Sequence, residues 1–403
     1  MKILVLNSGS SSQKMSLYDI ANAVPKSPSA PIWKGEVEWD GDQTDVQVQT
    51  SHGRKLKEQI EIGSRQKGIE VLLDALSSGK TRAVSKSSEI DIVGHRIVNG
   101  GREYQKPTVI TSDVKAAIAK MSAFAPLHNR VEMEGIDIIE KRLGAVPQVA
   151  VFDTGFHSRL PESAFVYPGP YEWLARGIRR YGFHGINHQY CAERTAQLLG
   201  KKLSALKMVT CHLGNGCSLA AVRNGHSVDT TMGFTPLEGL MMGTRSGSVD
   251  PGILTYLMRE GKSTGEDLDQ LLNTKSGLLG ISGISGDMRQ IVAAKKKGHT
   301  RAELAFQIFV HRVVSCIGAM IAVLNGIDAL VFTAGIGENS PEVRAAACDN
   351  FGYLGLRLDS QKNRRAAADR EISTRHSAVR VLIVRAQEDW AIARDCWMLA
   401  SNR

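Results

Sequence analysis

Apolar and polar positions trade places along the first twenty residues. An apolar run, Ile3 to Leu6, gives way to a glycine-serine turn, and apolar positions return at Met15, Leu17 and Ile20. Two such segments around a polar turn predict a β-hairpin. Residues 34–50 alternate too, with a turn at Asp40-Gly41-Asp42, and extend an antiparallel edge. Pro25, Pro28 and Pro31 make 21–31 a loop; residues 65–78 have helical spacing, and 89–98 read as a strand. The buried-strand pattern of 148–153 ends in Asp153, and Asn187 is placed to cap a helix over 188–199 that Gly200 closes. From residue 208, MVTCHLGNGCSLAAV repeats the opening plan of strand, glycine-rich turn and strand, a sign of internal duplication. A long helix over 301–324 stops at Asn325-Gly326. A strand and a glycine turn follow, then a helix with Ser340 as cap and Pro341 at its first position. The apolar stretch 313–332 contains Asn325, Gly326 and Asp328, so it reads as a buried helix and then a strand, not a membrane span.

Composition adds limits. A chain of 403 residues holds two to three domains at about 150 residues each. With 42% apolar and 23% charged residues, wholesale disorder is excluded. The formal charge of +9 favours anionic ligands. Its clusters are short, at Arg179-Arg180, Lys295-Lys296-Lys297 and Arg364-Arg365, with no aromatic ladder between them, so nucleic acid is not the expected partner. Cysteines 191, 211, 217, 316, 348 and 396 lack C-x-x-C spacing and read as reduced structural thiols. The first apolar run is too short for a signal peptide, which points to the cytoplasm and no membrane.

The polar loops carry the chemistry. NSGSSSQK at 7–14 offers backbone N–H groups, hydroxyls and Lys14 to phosphate oxygens, without the spacing of a P-loop. HLGNG at 212–216 and GIGEN at 335–339 are further glycine loops at strand ends. Arg96 in GHRIVNGG, Asp153 in FDTGFH, His184 in RRYGFHG and Arg245 in MMGTRSGSVDPG are placed to meet an anion. Each has a plainer structural reading taken singly: a surface arginine, a capping acid, a satisfied histidine. His184 and His188 are four apart, but with no third ligand no zinc site is assigned. Together the loops suggest phosphoryl transfer, in which the protein positions reactants and offsets charge. A carboxylate about 3.5 Å from a doubly charged phosphoryl group meets repulsion on the order of 9 kcal/mol at an effective dielectric near 20. Two arginines and Mg²⁺ would cancel it. Two hairpins of one design, about two hundred residues apart, predict two α/β lobes with mixed sheets around a ligand rather than a Rossmann domain.

In order along the whole chain, NSGSSSQK, GHRIV-GG, APLHN (125–129), FDTGFH, RRYGFHG, HLGNG, GTRSG and GIGEN closely resemble the acetate kinase family. The resemblance implies the two-lobed actin-like ATPase fold of the acetate and sugar kinase, heat-shock chaperone and actin superfamily, with duplicated lobes around a nucleotide cleft. The lobes would be 1–155 with the terminal helix 388–403, and 156–387. It also implies a homodimer and the reversible reaction of ATP with acetate to give ADP and acetyl phosphate, with Mg²⁺, or Mn²⁺ in its place. Carried onto this sequence, Asn7 and Glu388 would bind the metal, Lys14 the nucleotide phosphates and Arg96 the substrate carboxylate. Asp153 would be the active-site acid, and His184 and Arg245 would stabilise the migrating phosphoryl group. His212, Leu213, Gly214, Asn215 and Gly216, Asp287, Met288 and Arg289, and Gly335, Ile336, Gly337, Glu338 and Asn339 would contact nucleotide. Val98, Leu127, Phe183 and Pro236 would enclose the acyl methyl, a valine at 98 favouring acetate over propionate.

The chain departs from the family pattern at Asn99 and Arg102, where His and Glu are usual, at Arg130 for Pro, at Ile186-Asn187 for Thr-Ser and at Ala386-Gln387 before Glu388-Asp389. Two alternatives stay open at this point. One is a kinase for propionate or another short-chain acid; the other is an actin-like, nucleotide-switched binding protein.

Overall fold

A computed structural model describes residues 1–9, 12–40, 43–121, 126–261, 263–365 and 367–401, with the side chains of 40, 43 and 126–130 outside that description. Two compact units emerge: Met1–Gly155 with Gln387–Arg403, and Phe156–Ala386.

The first unit is built on β1 (Lys2–Ser8), β2 (Ser12–Asp19), β3 (Trp33–Asp40), β4 (Gln43–Thr50), β5 (Lys55–Ile60), β6 (Ile92–Ile97), β7 (Thr108–Val109) and β8 (Gln148–Phe152). The sheet runs β5-β4-β3-β2-β1-β6-β8-β7. β1 is its pivot: it pairs antiparallel with β2, Asn7 opposite Lys14, and parallel with β6, Leu6 opposite His95. β1 has a nearly continuous apolar run, Ile3 to Leu6, and is buried along almost its whole length. Three helices, α1 (Arg65–Ser77), α2 (Ser112–Met121) and α3 (Pro126–Leu143), pack on the unit. Ile69, Leu72 and Leu76 of α1 join Leu4, Leu17, Trp33 and Val37 in one core. The terminal helix, Glu388–Ser401, lies on β6 at Gly94, where a Cβ would stand 2.6 Å from Ile392 Cγ2 and 2.7 Å from Cys396 Sγ. Only glycine admits the helix so close, and that approach brings Glu388 to the end of β1.

The second unit repeats the plan. β9 (Lys207–Leu213), β10 (Cys217–Arg223), β11 (His226–Thr230), β12 (Ala329–Thr333), β13 (Arg370–Glu371) and β14 (Arg380–Ile383) form a sheet in the order β11-β10-β9-β12-β14-β13. Here too the first strand of a hairpin, β9, has a parallel neighbour on its other side, with Thr210 opposite Val331. Five of the unit's helices concern the site and its support: α4 (Gly185–Leu198), α5 (Met288–Lys296), α6 (Thr300–Leu324), α7 (Ala334–Asn339) and α8 (Pro341–Cys348). Ser340 caps α8 by accepting the Val343 N–H, with Pro341 at the first turn, as the sequence predicts.

Three expectations change. The helix expected from 188 begins at Gly185: Gly182 and His184 adopt positive φ and turn the chain early, so Asn187 lies inside α4 and caps nothing. GIGEN is not an open turn but the body of the short α7. Among the described residues α6 alone is long and apolar enough to cross a membrane, but it buries one face only. Phe306, Phe309, Val313 and Ile317 turn inward while Leu304 and Val323 stay exposed.

Candidate active site

The first unit gathers one charged group at the carboxyl ends of β1, β6 and β8. Arg96 leaves β6, and Asp153 follows the last residue of β8; parallel pairing of the two strands, Arg96 opposite Val151, sets them side by side. The Arg96 guanidinium donates from Nε (3.1 Å) and Nη2 (2.6 Å) to Asp153 Oδ2, and from Nη1 to the Ser8 carbonyl at 3.1 Å. Glu388 Oε2 lies 4.0 Å from Arg96 Nε. Burial works against the charge on Arg96, but Asp153 and Glu388 outweigh it and hold the guanidinium protonated above its ordinary value. Val98, buried two residues beyond Arg96, gives its N–H to both carboxyl oxygens of Glu132 on α3, at 3.0 and 3.1 Å. Burial pushes the Glu132 carboxyl up to about 8, against the pull of Arg96 and of the Val98 N–H. Leu127 falls on α3, its side chain outside the described residues.

Asn7 Nδ2 donates to Glu388 Oε2 at 3.1 Å and to Asp389 Oδ1 at 2.9 Å, and the Ser16 hydroxyl donates to Asp389 Oδ2. Among the described residues no group of three or more His, Cys, Asp or Glu could hold a metal. Two carboxylates and an amide fit a hard cation of the Mg²⁺ kind, which takes oxygen ligands, few of them from protein and the rest from water and phosphate. Lys14 sits across the ladder from Asn7 and 3.1 Å from Glu36. Burial alone would lower the ammonium, and Glu36, Asp389 and Glu388 together hold it above its usual value.

The second unit brings other predicted residues together. Gly216, in the β9–β10 turn, is where His184 and Arg245 meet: a Cβ there would lie 3.4 Å from His184 Nε2 and 3.6 Å from Arg245 Nη1. The loop bearing Arg245 docks on this turn through the Gly243 N–H to the Asn215 carbonyl (3.0 Å), and Arg245 Nη1 donates to the Pro236 carbonyl (3.1 Å). His184 is held from beneath by Ser218 Oγ, 2.8 Å from its Nδ1, and the same hydroxyl lies 2.8 Å from His188 Nε2. Burial keeps His188 neutral, well below the usual histidine range. His212 stacks on His184 with centroids 4.0 Å apart, and its Nδ1 accepts from Asn187 Nδ2 at 2.8 Å, which leaves the neutral ring's proton on Nε2. Phe183 is buried next to His184, and Pro236 is half-buried.

A cavity of about 780 Å³ lies on this turn, lined by Gly214, Asn215, Asp287, Met288, Arg289, Gly335, Ile336 and Asn339 among others. That is the size of a cofactor site. Asp287 caps α5 and pairs with Arg289 at 2.6 Å, which holds its carboxyl below the ordinary range. His212, Leu213, Gly216, Gly337 and Glu338 do not line the cavity. Leu213 is core, and Glu338 Oε1 accepts the N–H groups of Ala334 and Ala386, so it braces α7 rather than facing a ligand.

Sequence reasoning gave no role to Asp389, Ser218 or Glu132. Asp389 could have been found from the adjacent acid Glu388; Ser218 and Glu132 stand in unremarkable strand and helix patterns.

Two duplicated sheets, one bearing a buried arginine–aspartate pair and the other a glycine-loop cavity with His184 and Arg245, define a two-lobed actin-like ATPase fold. Solved structures of known enzymes share it: a Porphyromonas gingivalis acetate kinase, 38% identical, with TM-score 0.89 and 99% of each chain covered, and a Francisella tularensis propionate kinase, 36% identical, with TM-score 0.89, covering 98% of this chain and 99% of that one. The acetate kinase of Nostoc punctiforme is 56% identical over the full length of both chains, and that of Gloeobacter violaceus is 56% identical over 98% of this chain and 99% of its own. The acetokinase family profile matches residues 2–394, and the chain belongs to that family.

Proposed function

We propose that this protein is an acetate kinase, moving the terminal phosphoryl group of ATP to a carboxylate oxygen of acetate by reversible, direct in-line transfer. The bond from phosphorus to the ADP oxygen breaks as the bond to acetate forms. The observation that carries the reading is the meeting of His184 and Arg245 at Gly216, on the turn that also lines the nucleotide-sized cavity. Donors fixed in advance on a migrating phosphoryl group are the largest source of catalysis in such reactions. Acetate, with a carboxyl pKa near 4, is ionised at neutral pH and needs no strong base. Asp153 therefore serves by orienting Arg96, which takes the substrate carboxylate, with Val98 two residues on to bound the methyl. Lys14 meets nucleotide phosphates. Asn7 and Glu388, with Asp389 beside them, would hold Mg²⁺, which supplies charge neutralisation on the phosphates.

Exposed Ile253, Tyr256 and Met258, with the half-covered α6, support a homodimer formed by a second copy of this chain. Six cysteines that form no disulfide fit a cytoplasmic enzyme.

A hydroxamate trap for acyl phosphates, run with acetate, propionate and butyrate, tests the reading. Acetate should give the highest kcat/KM, each added methylene costing about 10-fold or more if Val98 closes the pocket. Preference for propionate would establish the alternative kinase, and ATP hydrolysis indifferent to any acid would point to the nucleotide-switched binding protein.

A further inference from the structure

We infer that Glu132 is a positioning residue for the carboxylate substrate: by holding the Val98 N–H, its carboxyl fixes the end of β6 where Arg96 and Val98 meet the acid. The inference deepens the kinase reading and rests on it.

A glutamate is rarely buried unless paired, and Glu132 is 4% exposed. The pairing has a clear object. β6 ends at Ile97, whose carbonyl accepts the Asp153 N–H at 2.9 Å; one residue on, the Val98 N–H has left the ladder in a buried place. A buried backbone donor must find a partner, and both Glu132 oxygens supply it. A glutamine would supply the acceptor equally well; the acid differs in that it can ionise beside Arg96. Arg96 favours ionisation of Glu132, and Asp153 opposes it. Glu388 acts on the same arginine. Of the other charged residues of α3, Glu134 feels Arg65 of α1, Asp137 and Glu140 bind Lys115 of α2, and Arg142 binds Asp74 of α1, while the side chains of His128 and Arg130 lie outside the described residues. α1 and α2 otherwise offer Ile69, Val114 and Ile118, all apolar. Once ionised, Glu132 adds a negative charge to a cluster that must admit an anion, and it weakens the hold of Arg96 on the substrate. Burial places that change near pH 8.

The test measures KM for acetate and for ATP in the wild type, Glu132→Gln and Glu132→Ala across neutral and alkaline pH. In parallel, hydrogen exchange of residues 92–101 is followed without substrate. Glu132→Ala should raise the acetate KM about 10-fold, leave the ATP KM within about 2-fold, and speed exchange in the segment. The acetate KM of the wild type should rise above pH 8, and Glu132→Gln should restore both KM and exchange at neutral pH and abolish that rise. Equal exchange in all three proteins, an unchanged acetate KM in Glu132→Ala, or a parallel rise in both KM values overturns the inference. If Glu132→Ala fails to fold, a Glu132→Gln pH profile identical to wild type does the same. A wild type that makes no acyl phosphate defeats the kinase reading alone, and the exchange comparison still decides whether Glu132 holds the segment.

Discussion

Arg96 and Arg245 are both guanidinium groups, but their surroundings give them different work. Arg96 is anchored by Asp153 and the Ser8 carbonyl, in a buried place where its charge is fixed before any ligand arrives. Arg245 hangs from a glycine-serine turn by the Pro236 carbonyl, next to the ring of His184. Replacing Arg96 with Ala should therefore raise the acetate KM at least about 10-fold while the ATP KM moves little, and Arg245→Ala should depress kcat about 100-fold or more with both KM values nearly kept. Steady-state kinetics with each substrate varied separately checks both; wild-type turnover in the two variants would refute the assignment of roles. Lysine is no substitute at 96, because one ammonium cannot reproduce the pair of bonds from Nε and Nη2 to a single carboxylate oxygen. These residues were legible because they accompany several glycine loops that together suggest phosphate binding, although each alone has a plainer reading. Glu132 was not: a glutamate among helical polar positions reads as solvated, and only the folded neighbours of α3 show it buried.

At the level of elements, alternation and turn residues revealed both hairpins, the Ser340-Pro341 start of α8 and the Asn325 stop of α6, since each depends on contacts within a few residues. What the chain did not disclose was decided at longer range. Asn187 looks like a cap by type, but its amide is taken by His212 and Thr333, which belong to strands far along the sequence. Gly94 gives no local hint that a helix from the chain's end rests on it. Gly94→Val should destabilise the first unit by about 1–3 kcal/mol through overpacking against Ile392 and Cys396. Because that helix carries Glu388, the variant should also need more Mg²⁺ for half-maximal rate. Urea titration and a metal titration of activity check the two effects; a normal metal requirement in a destabilised variant would separate the helix from the metal site.

For the molecule as a whole, acid sensitivity follows from buried imidazoles. Burial lowers His95 in the first unit and His157 in the second to about 4 from an ordinary value of 6.5. Each is neutral in folded and unfolded chains above pH 6.5. Below it the unfolded chain takes up the proton first, so the stability that neutral burial preserves is lost progressively as pH falls toward 4, up to about 3 kcal/mol per site. Glu132, held protonated in the folded chain up to about 8, works in the opposite sense between its ordinary value and 8. Denaturant midpoints should therefore rise as pH falls from 8 to 7 and then drop between pH 6.5 and 4.5 by less than the two histidines alone would give, and His157→Gln should flatten part of that drop. Sedimentation should find a dimer, and charged replacements at Ile253 and Tyr256 should yield monomers; a wild-type monomer would remove that part of the proposal.

The terminal helix has one more consequence, and it concerns biosynthesis. Asn7 and Glu388 are 381 residues apart, so at ribosomal speeds of about 5–20 residues per second roughly 20–80 s separate the making of the two halves of this acidic centre. Until Glu388 and Asp389 have left the exit tunnel, Asn7 lacks both carboxylates it donates to, although Arg96 already has Asp153.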